Sequence, residues 1–185
     1  TLCSDKLFGA GKHCARRSNS RFSVVRYGNV VGSRGSVVPL FRRLAATGRI
    51  PITDLRMTRF LITLDEAVRF VIASFDRMQG GETFVPKIPS ATVVDMAKAI
   101  APEAEIDVVG IRPGEKLHEE MVSEDDARRT IEFDDYYVIA PVLAEWATND
   151  VTNAGASLPE GFSYSSDNND WWLDVDQIRT LLQGY

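Results

Sequence analysis

The sequence is poor in the residues that cross-link chains or bind metals, since its 185 residues include two cysteines and two histidines. Cys3 stands at the start of a helix predicted over residues 4 to 17 and Cys14 lies within it, so helical rise separates them by about 16 Å. Because a disulfide cannot span that separation, both cysteines are expected to be free thiols in a reducing compartment. A cytoplasmic location is therefore expected.

A positive net charge and a long apolar run are also lacking. The 26 acidic residues outnumber the 21 lysines and arginines, for a formal net charge of −5. This balance argues against nucleic acid or an anionic membrane surface as the main partner. No apolar run approaches the roughly 20 residues of a membrane span, and no signal-peptide pattern opens the chain. We therefore expect no membrane segment within this chain.

The Gly-rich dinucleotide fingerprint is also absent, since no G-x-x-G-x-x-G follows a predicted strand.

The chain does carry Arg112-Pro113-Gly114-Glu115-Lys116, a turn that is predicted to open a helix. A guanidinium can fork onto a phosphate, the first N–H groups of a helix favour the same anion, and a carboxylate can accept from ribose hydroxyls. The equally weighted alternative is that Arg112 and Glu115 pair with each other.

A second candidate site follows the apolar run over residues 22 to 25, which predicts a buried strand. The next residues, Arg26-Tyr27-Gly28-Asn29-Val30-Val31-Gly32, indicate a loop where backbone approaches a ligand. A plain strand-to-turn transition is the alternative. A helix over residues 37 to 47 is predicted next, with Ser36 as N-cap and Pro39 in its first turn.

Helices and strands alternate along the rest of the chain. Further strands are predicted around residues 57 to 62, 82 to 86 and 106 to 109, and helices over 63 to 78 and 92 to 101. Thr63 and Glu66 have capping-box spacing. This order predicts an α/β fold with a parallel sheet and right-handed crossovers.

Several segments together resemble the carboxyl-terminal half of the extended short-chain dehydrogenase/reductases that modify nucleotide sugars. The likeness is strongest to the inverting UDP-N-acetylglucosamine 4,6-dehydratases of the polysaccharide-biosynthesis branch. It runs from about residue 1 to about 180, and its segments are RYGNVVGSRGSVVPLF, PITDLRMTRFLITLDEAVRFV, GIRPGEKLHEEM, DDYYVIAP and SDNNDWWLDVDQIRTLL.

The resemblance implies the carboxyl-terminal part of a Rossmann-like parallel sheet with a smaller α/β lobe that binds the nucleotide sugar. It places the Rossmann-like part in residues 1–87, with 36–55 reaching into the substrate lobe. The substrate lobe itself is expected in residues 88–145. Residues 146–185 would form a tail with a docking helix.

The resemblance also implies that the catalytic residues lie outside this chain. In relatives the lysine of Tyr-x-x-x-Lys lies immediately before the segment that begins here at Leu2, a place that Thr1 holds, and the tyrosine lies further upstream. No catalytic residue is therefore assigned, and the chain alone is expected to be inactive. NADP would be bound mainly by the missing amino-terminal half. The implied partners are a UDP-sugar substrate and, for the intact parent, further copies in a homo-oligomer.

Family positions that touch cofactor or substrate map onto a defined set of residues. Those implied for the cofactor are Tyr27, Gly28 and Asn29. Those implied for the substrate are Asn29, Ser36, Val37, Val38, Thr58, Arg59, Arg112 and Glu115.

Two other function classes stay open. One is another nucleotide-sugar epimerase or dehydratase of the superfamily, and the other is a non-catalytic nucleotide-binding module. His118 is expected to be structural, because a lone histidine seldom acts as acid or base. Glu119-Glu120 and residues 124–126 are expected to form a solvated acidic face.

Overall fold

The computed structural model describes residues 20–33, 36–141 and 155–184. The predicted helix over residues 4 to 17 and both cysteines lie outside these residues. The described residues form two compact units that interleave along the sequence. The first unit takes in the described residues of Thr1–Tyr27, Val68–Lys87 and Met121–Ser163, and the second those of Gly28–Ala67, Ile88–Glu120 and Tyr164–Tyr185.

The first unit is built on a five-stranded sheet. Its strands are β1 (Val24–Val25), β5 (Thr83–Pro86), β9 (Thr130–Glu132), β10 (Tyr136–Ile139) and β11 (Ala156–Ser157). The spatial order is β1-β5-β10-β9-β11. β1 pairs in parallel with β5, and the other pairs are antiparallel.

The second unit contains two small sheets. In one, β2 (Asn29–Val30) pairs in parallel with β4 (Thr58–Ile62), which pairs antiparallel with β6 (Ser90–Thr92). In the other, β3 (Arg49–Ile52) runs parallel to β7 (Glu105–Val108). Because β2 and β4 are neighbours, Asn29 and Arg59 come from adjacent strands.

The helices of the second unit bury apolar faces in one core. They are α1 (Val37–Ala45), α3 (Val93–Ile100) and α5 (Val175–Leu182). Phe41, Met96 and Ile178 lie in this core and are almost fully buried. Burial of such side chains stabilises each helix by roughly 1.5–3 kcal/mol per residue.

The helix starts follow local capping rules. α2 (Leu64–Arg77) has the predicted capping box, in which the Glu66 carboxylate accepts from Thr63 N at 2.9 Å and the Thr63 hydroxyl accepts from Glu66 N at 3.2 Å. A second capping box joins Asp174 and Gln177 at the start of α5.

The remaining elements are short. They are α4 (Glu124–Ala127), β8 (Glu120–Val122) and β12 (Tyr164–Ser165). Among the described residues, no helix is both long and apolar enough to cross a membrane.

The predicted α/β class with parallel, Rossmann-like strand pairs is confirmed by the three parallel pairs. Predicted helix and strand positions agree to within about two residues at most element ends, as is usual for helix and strand boundaries. The predicted helix after Gly114 is wrong, because residues 115–119 form no helix. The predicted domain boundaries at residues 87 and 145 stay a prediction.

Candidate functional site

The motif at Arg112 is a tight turn. Glu115 N donates to Arg112 O at 3.1 Å, and Gly114 has φ +83°. Proline at the second position and a positive φ at the third are typical of a type II turn. The turn leads into irregular backbone rather than into a helix, so the helix N–H groups expected to favour an anion are absent from residues 115–119.

The Glu115 carboxylate stabilises this turn. One oxygen accepts from the Arg112 backbone N–H at 3.2 Å, and the other accepts from the Thr53 hydroxyl at 3.2 Å. The predicted alternative, an ion pair between the two side chains, is not what the turn shows. Within the described part of the chain, the exposed Arg112 guanidinium makes no hydrogen bond or ion pair.

Arg59 reaches from β4 to the backbone that follows the turn. Its Nη1 donates to Leu117 O at 2.9 Å, and its Nη2 donates to Lys116 O at 3.1 Å. The Thr58 backbone N–H also donates to Leu117 O, at 3.1 Å. These bonds take up carbonyl oxygens that a helix would use internally, which explains why the predicted helix does not form.

The bonds of Arg59 bear on its predicted contact with a diphosphate. Nη1 also donates to its neighbour Thr58 O at 2.7 Å, so the donors of this nitrogen are already engaged. A phosphate would have to compete with these carbonyls for the guanidinium. In the structure, Arg59 anchors the segment that follows the Arg112 turn. Its contact with a diphosphate stays a prediction.

Glu119 joins β2 and β4. Its Oε1 accepts from Asn29 Nδ2 at 2.9 Å, and its Oε2 accepts from the Phe60 backbone N–H at 3.1 Å. Arg59 Nε lies 3.9 Å from Oε1. The expectation that Glu119 belongs to a solvated acidic face is wrong. The sequence shows only a run of acidic residues and gives no signal that one of them turns inward.

Thr58 lies in a buried hydroxyl network. Its Oγ1 is 2.7 Å from Ser166 Oγ and 2.8 Å from His118 Nδ1. Ser166 Oγ in turn accepts from the Glu119 backbone N–H at 2.9 Å. Because the Thr58 hydroxyl is enclosed by these partners, a substrate could reach it only by displacing one of them.

The network assigns a tautomer to His118. Within the described residues, both hydroxyls are satisfied if Ser166 donates to Thr58 and Thr58 donates to His118 Nδ1. The ring proton is then on Nε2, which lies 3.9 Å from Asp167 Oδ2. A hydrogen bond from the Ser165 hydroxyl lowers the pKa of Asp167 below its usual value. A purely structural role for His118 stays a prediction.

Gly28 is required by packing. A Cβ at this position would collide with the Cβ of Phe60, would lie 2.9 Å from the Phe60 carbonyl oxygen and would lie 3.1 Å from Ile88 Cδ1. The close backbone approach predicted from the Gly-Asn pair is thus an approach to β4. Contact of Gly28 with a cofactor stays a prediction, as does that of Tyr27, whose side chain is 42% exposed.

The start of α1 holds three further residues predicted to bind the substrate, namely Ser36, Val37 and Val38. Ser36 occupies the N-cap position, but its side chain makes no capping hydrogen bond, and its buried Oγ has no partner among the residues that the structure describes. Val38 is 2% exposed and belongs to the core. Val38 could therefore serve a ligand only through its backbone N–H.

The run at residues 124–126 starts α4, where Ser123 Oγ accepts from Asp126 N at 3.2 Å. Asp126 pairs with Arg26 at 3.4 Å and with Arg129 at 2.5 Å, so it is not simply solvated as expected. Among the described residues, no three His, Cys, Asp or Glu side chains lie together as metal ligands would.

Known proteins resemble this chain over most of its length. Residues 1–141 match the family described as polysaccharide biosynthesis protein. The chain is 49% identical, over 98% of its length, to the UDP-N-acetylglucosamine 4,6-dehydratase (inverting) of Campylobacter jejuni, and it spans 57% of that relative. It is 40% identical, over 73% of its length, to a UDP-glucose 4-epimerase of Rickettsia canadensis, of which it covers 41%.

One solved structure is similar over the whole chain. The X-ray structure of Pen from Bacillus thuringiensis matches with a TM-score of 0.82 and 30% sequence identity, over 100% of this chain and 55% of Pen. The curated relatives and this structure are thus all considerably longer than the present chain.

Proposed function

This chain belongs to the polysaccharide biosynthesis protein family, and from that premise we propose that it is part of a 4,6-dehydratase that acts on UDP-N-acetylglucosamine and inverts C5. Its 49% identity to a relative of that name supports the proposal. Because the chain spans 57% of that relative, the proposed activity is that of a full-length protein. The part proposed for this chain is to bind the uridine diphosphate and to orient the sugar.

The observation that carries the proposal is the exposed Arg112 guanidinium, which makes no hydrogen bond or ion pair with any described residue. Glu115 holds the backbone of the turn, and Arg59 holds the segment after it. These two contacts hold the backbone on either side of the turn and leave the Arg112 guanidinium exposed. A diphosphate suits such a guanidinium, because its oxygens accept two parallel N–H bonds.

The proposed cofactor is NADP. Asn29 fits a place beside it, since a side-chain amide offers both a donor and an acceptor, and the exposed ring of Tyr27 offers an apolar face. Removal of hydride from sugar C4 and its return at C6 is the chemistry that NADP supplies when bound. The residues of this chain hold the substrate in the geometry that this transfer requires.

The proposed reaction changes the sugar in three steps. Oxidation at C4 gives a ketone, and this ketone acidifies the C5 proton so that water is lost across C5 and C6. Hydride is then added at C6, and a proton is added at C5 on the opposite face. Binding energy from the remote uridine diphosphate supports these steps by fixing the position of the sugar.

The stereochemistry of the product tests the proposal. A full-length enzyme that carries this chain is incubated with UDP-N-acetylglucosamine in deuterium oxide, and the fresh product is analysed by proton NMR. We expect deuterium at C5 and a 4-keto sugar of L-arabino configuration. A D-configured ketone would contradict the inverting assignment.

The second candidate is a C4 epimerase, which the 40% identity to the Rickettsia protein favours. An epimerase would place no deuterium at C5 and would leave C6 oxygenated, so the same spectrum separates it. A non-catalytic nucleotide-binding module would give no product at all. A homo-oligomeric parent stays a prediction.

A further inference from the structure

Glu119 is unusual among the acidic residues of the second unit, because its carboxylate binds two strands at once. Oε1 accepts from the Asn29 side chain of β2, and Oε2 accepts from the Phe60 backbone of β4. The side chain is 28% exposed, and the nearby Arg59 guanidinium partly compensates its charge. The backbone N–H of Glu119 is itself held by Ser166.

This arrangement fixes the orientation of the Asn29 amide. A carboxylate only accepts hydrogen bonds, so Asn29 must direct its NH₂ group toward Glu119. The Asn29 carbonyl oxygen and the second amide hydrogen then remain for other partners. In the described part of the chain, Asn29 makes no other side-chain hydrogen bond.

We propose that Glu119 is a positioning residue of the nucleotide-sugar site, and that it acts by fixing which edge of the Asn29 amide faces the ligand. The proposal rests on the function proposed above and on the contact of Asn29 with the substrate that the family resemblance implies. This role depends on the hydrogen bonds from Asn29 and Phe60, which a fully solvated acidic residue would not make. It also explains why a negative group is tolerated near a predicted diphosphate site, since two donors occupy its oxygens and the Arg59 guanidinium lies 3.9 Å away.

A glutamine at position 119 distinguishes this role from simple packing. Glutamine has the same shape, but it offers one acceptor oxygen and one donor nitrogen. If its oxygen serves Phe60, its NH₂ group faces Asn29, and the Asn29 amide must turn over to present its oxygen. The ligand would then meet the reversed edge of Asn29.

The test is a double-mutant cycle in the full-length protein, with UDP-N-acetylglucosamine as the titrant in calorimetry. We expect Glu119→Gln to weaken binding about tenfold in the wild-type background, as for the loss of one good hydrogen bond. In an Asn29→Ala background the same change should have less than about a twofold effect, because residues that act as a unit are not additive. Glu120→Gln, on the exposed neighbour, is the matched control and should leave binding unchanged.

Each outcome decides the question. Equal losses from Glu119→Gln in both backgrounds, or wild-type affinity in Asn29→Ala, would overturn the proposal while leaving the proposed function intact. Failure of the unmodified protein to bind UDP-N-acetylglucosamine would overturn the proposed function and this inference together.

A further variant keeps the proposal testable if Glu119→Gln does not fold. The double variant Asn29→Asp with Glu119→Gln restores a hydrogen bond between the two side chains with donor and acceptor exchanged. We expect it to fold and to bind UDP-N-acetylglucosamine no better than Asn29→Ala. Wild-type affinity in this variant would show that the orientation of residue 29 is irrelevant.

Discussion

The Glu115 carboxylate accepts a hydrogen bond from the backbone N–H of Arg112, at 3.2 Å, and not from its guanidinium. The acidic residue of the motif therefore shapes the turn, and the basic residue is left exposed to solvent. These two roles can be separated by substitution, because one affects the backbone and the other affects only a side chain.

Arg112→Ala should weaken binding of UDP-N-acetylglucosamine by about 2 kcal/mol, roughly thirtyfold, since a charge-assisted fork onto phosphate is lost. Calorimetric titration of the full-length protein measures the change. Arg49→Ala is the control, because Arg49 is an exposed arginine outside the predicted site, and among the described residues its side chain pairs with Glu105. An unaltered affinity in the Arg112 variant would remove the turn from the site.

Gly114→Ala should lower the free energy of unfolding by about 1 kcal/mol, because an L-residue pays a steric penalty at positive φ. The cost is purely conformational here, since nothing lies within 4 Å of the Cβ position. Denaturant unfolding monitored by circular dichroism gives the value. Gly184→Ala has equal free space without a positive φ, so it should change stability much less.

Gly28→Ala should be considerably more destabilising than Gly114→Ala, for a different reason. The added Cβ would collide with Phe60, and the nearby Phe60 carbonyl oxygen belongs to backbone that cannot move aside cheaply. We expect a loss of about 3 kcal/mol or a failure to fold, as for overpacking against a rigid neighbour. A variant with wild-type stability would show that β2 and β4 are not as closely packed as described.

Asp54 should titrate at unusually low pH. Hydrogen bonds from the Arg56 side chain and then from its backbone hold the pKa of Asp54 at about 2, below the usual 3.8. Since the folded pKa is lowered, the stabilisation is present above the ordinary aspartate range and is lost as pH falls toward 2. Carbonyl carbon NMR of labelled aspartate measures the pKa.

The substitution Arg56→Ala provides the control for that titration. It removes the guanidinium that is the largest cause of the shift, so the pKa of Asp54 should rise toward its ordinary value. If the titration midpoint is the same with and without Arg56, the pair does not exist in solution.

Local signals in the sequence predicted much of the fold. The capping box at Thr63 and the apolar faces of α1 and α3 depend on residues within a few positions of one another, so the sequence reveals them directly. The helix predicted after Gly114 failed because distant residues decided the outcome. Arg59, more than fifty positions earlier in the chain, binds the carbonyl oxygens that the helix needed.

The inward turn of Glu119 could not be predicted for the same reason. Its partner Asn29 is 90 positions away, and Ser166 is 47 positions away in the other direction. Composition and spacing report only that acidic residues follow one another there. Which of them bonds to the strands depends on strand pairing, and sequence periodicity does not specify that pairing across such separations.

The contacts of Arg59 allow side chains in the loop that follows the Arg112 turn to change during evolution. The guanidinium binds peptide oxygens at positions 116 and 117 rather than their side chains. Every amino acid supplies such an oxygen, so the exposed side chain of Lys116 can be exchanged without loosening the support beneath Arg112. The charge of residue 116, beside the predicted diphosphate site, can therefore vary without a change in the backbone of the loop.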